Sequence, residues 1–307
     1  MEENKAKKRH APVFVADIAK GFCMGVAFIV PGFSGGSIAA ILGIYEKLIG
    51  AVADIFKNFK KSILTLLPIF IGLAVGAVSM LFPLGYFVAK FPLPTVSLFV
   101  GLTLGGLPSV TDELKGARTK GAIISFVVSA VLSLALIFIP TGADVNLFDL
   151  SPLGYVLLFV IGFIGSAAIV VPGISGSMLL LIIGYYNPLV DLITKHFLMG
   201  KDFWTSAFVL ACFGGGIVIG FILISQLMKY LFNKHKGATY ASIVGFIVGS
   251  IPTVYVSTVK DAGLTLSTLP TSVWHWLICV LLLAVGLCLA LLLVYKAKRL
   301  GKKEKMS

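Results

Sequence analysis

Charged residues are scarce in this chain, and their scarcity argues against a soluble protein. Only 12% of its 307 residues are Asp, Glu, Lys or Arg, whereas 58% are hydrophobic, and the mean hydropathy is +1.02. A typical soluble domain contains about 25% charged residues. Lipid is therefore the expected solvent for most of the chain.

Cysteine, histidine and arginine are also rare, and their positions argue against metal sites, disulfides and enzyme chemistry. The four cysteines lie singly in apolar stretches without paired spacing, so we expect neither a metal site nor a disulfide. A membrane phosphatase or acyltransferase would need a nucleophile and an acid/base pair inside the bilayer. The arginines and histidines instead fall in loops or at segment ends. We expect a protein that is not an enzyme and has no catalytic residue, cofactor or metal.

The basic residues indicate membrane orientation and not a nucleic-acid partner. The net charge is +12, but the basic residues cluster in loops between apolar segments, where they commonly fix orientation against an anionic leaflet. The basic start also differs from a secretory signal, because Asp17 and Lys20 interrupt the apolar run and no small-residue cleavage site follows. We therefore expect the N-terminus to be retained.

Long charge-free stretches are what the sequence has in abundance. Most exceed the roughly 20 apolar residues that a helix needs to cross a bilayer core of about 30 Å. Because no strand-like alternation appears, we predict an all-α polytopic membrane protein. The predicted segments are a basic N-terminus at 1–12; a first repeat at 13–143 with a broken re-entrant hairpin at 13–52 and spans at 62–89, 93–111 and 120–140; a second repeat at 150–295 with a broken hairpin at 152–192 and spans at 203–231, 237–257 and 272–295; and a basic tail at 296–307.

An internal repeat is the strongest single feature of the sequence. A Pro-Gly-x-Ser-Gly motif followed by Gly and Tyr occurs twice, and each residue of the second copy lies 141 positions after its counterpart. The matching residues are Pro31, Gly32, Ser34, Gly35, Gly43 and Tyr45 in the first copy and Pro172, Gly173, Ser175, Gly176, Gly184 and Tyr186 in the second. A second block of Gly, Tyr and Pro positions within 72–108 recurs 144 positions later. The two blocks predict a duplicated architecture.

Parity and charge together predict how the halves are oriented. A hairpin that enters and leaves on one side, plus three spans, gives each half an odd number of crossings, so the second half is inverted. With the N-terminus inside, 19 of the 25 basic residues fall in loops predicted to be cytoplasmic. The positive-inside rule therefore favours an inverted-topology duplication with both termini in the cytoplasm.

The two Pro-Gly breaks are where we expect the chemistry. Proline removes a backbone donor and glycine frees the backbone, so each stretch divides into two half-helices. Serine is a good N-cap, and the half-helix after it would direct free N–H groups and a positive dipole end into the turn, which forms an anion cradle. The predicted phosphate-binding residues are Gly32, Ser34, Gly35, Gly36 and Ser37 in the first half and Gly173, Ser175, Gly176 and Ser177 in the second. A structural alternative is that Pro-Gly only kinks two helices and the small residues let neighbours pack closely.

Charged residues flank the first hairpin and not the second. Asp17 and Lys20 precede the break, and Glu46 and Lys47 follow it, each roughly 18 to 21 Å away along a straight helix, which places them at the cytoplasmic interface. They either reach water and pair across the two legs, or they bind the head group and take a coupling proton. The further candidates for contact with the head group are Tyr45 and Tyr186.

The first motif and its surroundings are similar to a known family. The stretch from Gly25 to Ser37, with Leu42 to Glu46 after it, resembles the signature of the bacterial polyprenyl-phosphate transporter family, formerly a domain of unknown function. The second copy resembles that family's second motif, and the likeness extends from about Asp17 to Tyr295. The family usually has valine in the Pro-Gly-Val-Ser turn and threonine after the glycine pair, where this chain has Phe33 and Ser37.

This resemblance implies a cargo that composition does not reveal. It implies a transporter of the bacterial cytoplasmic membrane that moves undecaprenyl phosphate between leaflets and so recycles the lipid carrier of cell-wall polymer synthesis. Membrane lipids and a coupling proton or sodium ion are further expected partners. The alternative is a transporter or channel for a small anion, because helix-end cradles also bind small anions. Lateral access separates the two hypotheses, since a lipid carrier needs a groove open to the bilayer.

Overall fold

The computed structural model describes residues 2–29, 35–114, 119–140, 142–173, 176–197, 199–200, 202–263 and 272–306. Within these ranges the chain is helical and contains no strand, so the predicted all-α class is confirmed. Six of the described helices are long and apolar enough to cross a membrane, or up to seven spans if one bent pair counts as a single span. The protein is therefore a multi-pass membrane protein.

Eleven α-helices make up the described part of the chain. In chain order they are α1 (Glu2–Ile29), α2 (Gly35–Ile41), α3 (Tyr45–Ala53), α4 (Phe59–Lys90), α5 (Pro92–Thr111), α6 (Lys120–Ala135), α7 (Pro152–Val170), α8 (Gly176–Ile183), α9 (Tyr186–Asp191), α10 (Phe203–Asp261) and α11 (Val273–Met306). Short 3-10 turns follow α5 and α6, and a π-helical turn follows α9.

The outer helices present apolar side chains to their surroundings, while α5 lies inside. On α4, Val78 and Phe82 are 72% and 83% exposed. Most residues of α5 are instead buried against neighbouring helices. Continuous exposed apolar faces of this kind are unfavourable in water, and lipid satisfies them.

The second predicted helix break is present. Helix α7 ends at Val170, two residues before Pro172, and Val171 has the extended angles φ −79° and ψ 116°. Proline has no N–H group and disfavours helical angles in the residue before it, which explains why α7 ends here. The predicted first break, at Pro31 and Gly32, lies outside the described residues.

The returning leg of the first hairpin is not the straight helix that we expected. It consists of α2, which has only 7 residues, and the chain then turns so that α3 lies at 117° to α2. Glu46 and Lys47 lie on α3. The expected separation of roughly 18 to 21 Å along one straight leg is therefore wrong for these two residues, because the leg is bent.

Glycine at the end of α2 causes this bend. Gly43 has φ +68°, and the N–H groups of Gly43 and Ile44 donate to the carbonyls of Ala40 and Ala39. This pair of hydrogen bonds is a Schellman cap, which ends a helix. The end of α8 has the same cap at Gly184, whose φ is +83°.

Glycine also allows the closest helix pairs, and these contacts recur in the two halves. Between α1 and α4, a Cβ added to Gly21 would lie 2.1 Å from the carbonyl oxygen of Ile69, and one on Gly72 would lie 2.0 Å from that of Ile18. The counterparts in α7 and α10 are Gly162 with the carbonyl of Phe213, at 2.2 Å, and Gly216 with that of Phe159, at 2.0 Å. Only glycine lets these backbones approach so closely.

The longest helix, α10, corresponds to two helices of the first half. Its 59 residues would extend about 88 Å if straight, which is far more than one crossing requires. His235 interrupts it with φ −134° and ψ 46°, and Phe91, which separates α4 from α5, has φ −133° and ψ 61°. His235 is 144 positions after Phe91. The recurring contacts and this shared break favour the duplication, whereas the repeat boundaries and the inverted orientation stay predictions.

Candidate functional site

Helices α2 and α8 overlap the predicted cradles. The described part of α2 starts at Gly35 and that of α8 starts at Gly176. The first N–H groups of a helix have no partner within the helix, and the helix dipole makes this end positive. Capping by Ser34 and Ser175 stays a prediction, because both serines lie outside the described residues.

The described cradle residues differ in burial between the two halves. Gly35, Gly36 and Ser37 are buried, and Ser37 is 4% exposed. Gly176 is half-buried. Three predicted ligands, Gly32, Ser34 and Ser175, lie outside the described residues, as does the side chain of Ser177.

Gly173 occupies a position that only glycine fits. Its φ is +87°, which L side chains rarely adopt, and an added Cβ would lie 2.5 Å from the carbonyl carbon and oxygen of Phe246 in α10. A Cβ on Gly176 would come no closer than 3.7 Å to the side chain of Ala168. The second Pro-Gly turn is thus packed directly against α10, while Gly176 has only an ordinary contact among the described residues.

A hydrogen bond joins the first hairpin to the second break. The buried hydroxyl of Tyr45, the first residue of α3, donates to the carbonyl oxygen of Val170, the last residue of α7, at 2.6 Å. The last carbonyls of a helix lack partners within it, and the tyrosine satisfies one of them. Tyr45 also packs edge-on against Phe232 of α10, with ring centroids 5.8 Å apart. The predicted repeat partner, Tyr186, is only half-buried.

The other end of α2 is held by α5. The hydroxyl of Ser109 donates to the carbonyl oxygen of Ile41 at 2.7 Å, and a Cβ added to Gly106 would lie 2.1 Å from the Ile41 side chain. The short returning leg is thereby fixed at its carboxyl end by the most buried of the long helices.

Two of the predicted charged residues pair across the hairpin. Lys47 on α3 forms an ion pair with Asp17 on α1, which is 5% exposed. Lys20 lies one turn after Asp17 on α1 and is half-buried. The structure thus agrees with pairing across the legs for Asp17 and Lys47.

A further polar cluster, which we term the inter-half cluster, joins the first half to α10. Its acidic members come from the first half and its donors from α10. The pairs are Lys229 with Asp54, Lys236 with Glu113 at 2.8 Å, and the hydroxyl of Tyr240 with the Glu46 carboxylate at 2.7 Å. From the sequence, Lys229 and Lys236 were expected only to fix the orientation in the membrane, and no local pattern relates Asp54 to a lysine 175 positions away. Its members on α10, Lys229, Lys236 and Tyr240, lie on both sides of the break at His235 in sequence.

Comparison with known proteins shows the family of this chain. Residues 24–268 match the model of the undecaprenyl phosphate translocase-like family. The chain belongs to this family. The resemblance read from the paired Pro-Gly motifs is therefore confirmed.

Two relatives within this family match over most of their length. The chain is 32% identical over 286 residues to the polyprenyl-phosphate transporter of Staphylococcus aureus (strain NCTC 8325 / PS 47), which covers 90% of this chain and 95% of that protein. It is 23% identical over 265 residues to the polyprenyl-phosphate transporter of Vibrio cholerae serotype O1 (strain ATCC 39315 / El Tor Inaba N16961), with coverages of 79% and 78%. No solved structure matches the chain.

Both Pro-Gly motifs of this translocase-like family member fall within the matched range. The matched residues extend from position 24, before Pro31, to position 268, beyond α10. The match therefore includes both predicted cradles, the Tyr45 hydrogen bond and the whole inter-half cluster.

Proposed function

We propose that this protein moves undecaprenyl phosphate between the leaflets of the bacterial cytoplasmic membrane, which recycles the lipid carrier for cell-wall polymer synthesis. The observation that carries the proposal is the pair of short helices α2 and α8, which overlap the two predicted cradles in hairpins joined by the Tyr45 hydrogen bond. Both relatives are named polyprenyl-phosphate transporters, which supports the same cargo.

The cargo suits a site of this kind. A polyprenyl phosphate has one compact anionic head and a long apolar tail, so the protein needs to shield only the head while the tail stays in lipid. The head would bind to the backbone N–H groups and hydroxyls of 32–37 and 173–177, near the middle of the membrane. Helix N-termini bind phosphate in this manner, and transporters place their substrates where such half-helices end.

Charge balance gives a reason for a coupling ion. Each helix end contributes about +0.5 charge, so two ends supply about +1. A phosphate monoester carries about −1.5 to −2 at neutral pH. Moving the remaining negative charge through the membrane is costly unless a proton or a sodium ion accompanies it. The proposal therefore includes cotransport of one cation with the head group.

The inter-half cluster provides a contact that alternating access must break and remake. In the proposed orientation it closes the cytoplasmic side, because it joins the first half to α10 around the break at His235. The Lys229 and Asp54 side chains are 37% and 30% exposed. Pairs near the surface contribute about 0–1 kcal/mol each, so the cluster can hold one state without preventing the other. Rocking of one half against the other would then open the site to each leaflet in turn.

Vesicle reconstitution with labelled undecaprenyl phosphate tests the proposal. Wild-type protein under an imposed proton or sodium gradient should move the label between leaflets, and Ser34→Ala/Ser175→Ala should slow this movement strongly. Ser151→Ala is the matched control, because Ser151 caps α7 by accepting from the Gly154 N–H at 3.2 Å, away from the Pro-Gly breaks. Equal rates in wild type and the double variant would refute the proposed phosphate-binding cradle. Absence of lipid movement by wild type under both gradients would refute undecaprenyl phosphate as the cargo.

The small-anion hypothesis predicts a different result in the same vesicles. A protein of that kind would take up labelled inorganic phosphate and leave the lipid label in place. The names of both relatives favour the lipid. Phosphate uptake without lipid movement would reverse this preference.

A further inference from the structure

A groove opens beside the first hairpin, on the side predicted to be cytoplasmic. It lies between the first half of α1, the short helix α3 and the start of α4, and its volume is about 1040 Å³. Ligand sites in proteins commonly have volumes of about 300–1,000 Å³. Its charged lining residues are Asp17, Lys47, Lys60 and Lys61. No cradle residue that the structure describes lines the groove.

The charge of the groove matches a phosphate monoester. Among the described side chains that line it, three lysines and one aspartate give a net charge of +2. Asp17 pairs with Lys47, whereas Lys60 and Lys61 have no ion pair with any residue in the described ranges. A phosphate monoester carries about −1.5 to −2 at neutral pH, whereas the phosphodiester of a common phospholipid carries about −1. The monoester is the better complement.

The apolar part of the groove continues onto the lipid-facing side of α4. Phe59 and Leu64 line the groove and are 66% and 60% exposed. From Leu64 an exposed apolar stripe follows the helix at spacings of three and four residues, which keeps it on one face. Its members are Leu64, Leu67, Ile71, Val75, Val78 and Phe82. The stripe is about 27 Å long, enough for a polyprenyl tail to lie along it.

We propose that this groove binds a polyprenyl phosphate monoester in the cytoplasmic leaflet, with Lys60 and Lys61 on the phosphate and the α4 stripe along the tail. This inference rests on the proposed function and adds to it a second site on the same path. Lys47 lines the same groove and belongs to the hairpin, so a bound phosphate competes with Asp17 for it. Binding at the groove thereby loosens the contact between the two legs of the hairpin.

Photocrosslinking tests this site directly. The full-length protein is placed in nanodiscs of neutral phosphatidylcholine with a polyprenyl monophosphate that carries a diazirine next to its head group, and the labelled peptides are mapped. Wild type should be labelled within 59–68. Lys60→Gln/Lys61→Gln should reduce that labelling by about fivefold to thirtyfold, as expected for the loss of two partly exposed ion pairs. Unchanged labelling in this variant would overturn the proposal.

Two control variants separate charge at the groove from charge in the neighbourhood. Lys60→Arg/Lys61→Arg keeps both positive charges and should be labelled as wild type. Lys57→Gln removes one exposed lysine from the loop before α4 that does not line the groove, and it should also be labelled as wild type. A loss of labelling in Lys57→Gln equal to that in the double glutamine variant would overturn the assignment to Lys60 and Lys61.

Competition identifies the chemistry of the occupant. Unlabelled polyprenyl monophosphate should displace the probe, and phosphatidylglycerol at the same mole fraction should displace it much less. Equal displacement by phosphatidylglycerol would make the groove a general anionic-lipid site and overturn the proposal. Displacement by millimolar inorganic phosphate as effective as that by the lipid would overturn the role of the α4 stripe.

Labelling and lipid movement together distinguish a wrong groove proposal from a wrong transport proposal. Ser34→Ala/Ser175→Ala should lose leaflet-to-leaflet movement and keep labelling at 59–68. A wild-type protein that moves the lipid without labelling at 59–68 would refute the groove alone. A protein that is labelled there and moves no lipid would refute the proposed function alone.

Discussion

The hydroxyl of Tyr45 donates to the carbonyl oxygen of Val170 across 125 positions of sequence, and this bond joins the two broken hairpins. Tyr45 follows the Schellman turn at Gly43, and Val170 is the last residue of α7, two residues before Pro172. The bond therefore couples the bend of one hairpin to the position of the other break. A relative movement of the two halves has to preserve this bond or exchange it for another.

Tyr45→Phe should destabilise the protein by about 1–3 kcal/mol, because it leaves a buried carbonyl without a partner while keeping the ring contact with Phe232. Thermal unfolding in detergent measures the change. Tyr295→Phe is the control, since Tyr295 is 64% exposed on α11. Equal melting temperatures for wild type and Tyr45→Phe would show that the hydrogen bond contributes nothing to the fold.

The inter-half cluster leads to a prediction about charge exchange. Asp54→Lys places two like charges where Lys229 now meets an acid, which should disfavour the closed cytoplasmic side and change the rate of lipid movement between leaflets severalfold. Adding Lys229→Asp restores an opposite pair in reversed order and should recover most of the wild-type rate. The vesicle assay with labelled lipid measures both.

The control for this exchange is an ion pair outside the cluster. Asp191 and Lys195 form an exposed pair four residues apart, at 2.9 Å, and Asp191→Lys should leave the rate unchanged. A rate in the Asp54→Lys/Lys229→Asp double variant that stays as altered as in the single variant would argue against an electrostatic contact between the halves during transport.

The break after α7 could be predicted from sequence, while the later course of the hairpins could not. Pro172 acts on the residue directly before it, so a local pattern was enough. Gly43 and Gly184 were visible as members of the repeat, but a glycine at that position is compatible with a straight helix as well as with a cap. The cap depends on φ at Gly43 and on the carbonyls it satisfies, which the sequence alone does not specify.

Contacts between distant segments could not be predicted from local sequence patterns either. Asp54 and Lys229 are 175 positions apart, and Glu46 and Tyr240 are 194 apart, so their pairing depends on how α3 packs against α10. The groove at Lys60 similarly requires α1, α3 and α4 to be placed together. The distribution of the basic residues along the chain predicted an orientation in the membrane, but it did not predict which acidic residues they contact.

Two glycines on α10 give a test of the helix packing. A Cβ on Gly216 would lie 2.0 Å from the carbonyl oxygen of Phe159, whereas a Cβ on Gly214 would have no neighbour within 4 Å. Gly216→Ala should therefore lower the melting temperature by several degrees, because α7 has to move away from α10. Gly214→Ala should leave it unchanged or raise it, since alanine favours the helix by about 1 kcal/mol over glycine. Equal effects would contradict the close contact between α7 and α10.

Substitutions at Gly173 and Gly176 test the stability and the transport role of the second cradle independently. Gly173→Ala should destabilise the protein by about 1–3 kcal/mol, because alanine has to adopt φ +87° or move the turn away from Phe246. Gly176→Ala meets only an ordinary contact with Ala168 at 3.7 Å, so its melting temperature should equal that of wild type. Its added methyl group stands at the first residue of α8, where the proposed phosphate approaches the backbone, and lipid movement should therefore slow. A folded Gly176→Ala protein with the wild-type rate would place the head group away from the start of α8.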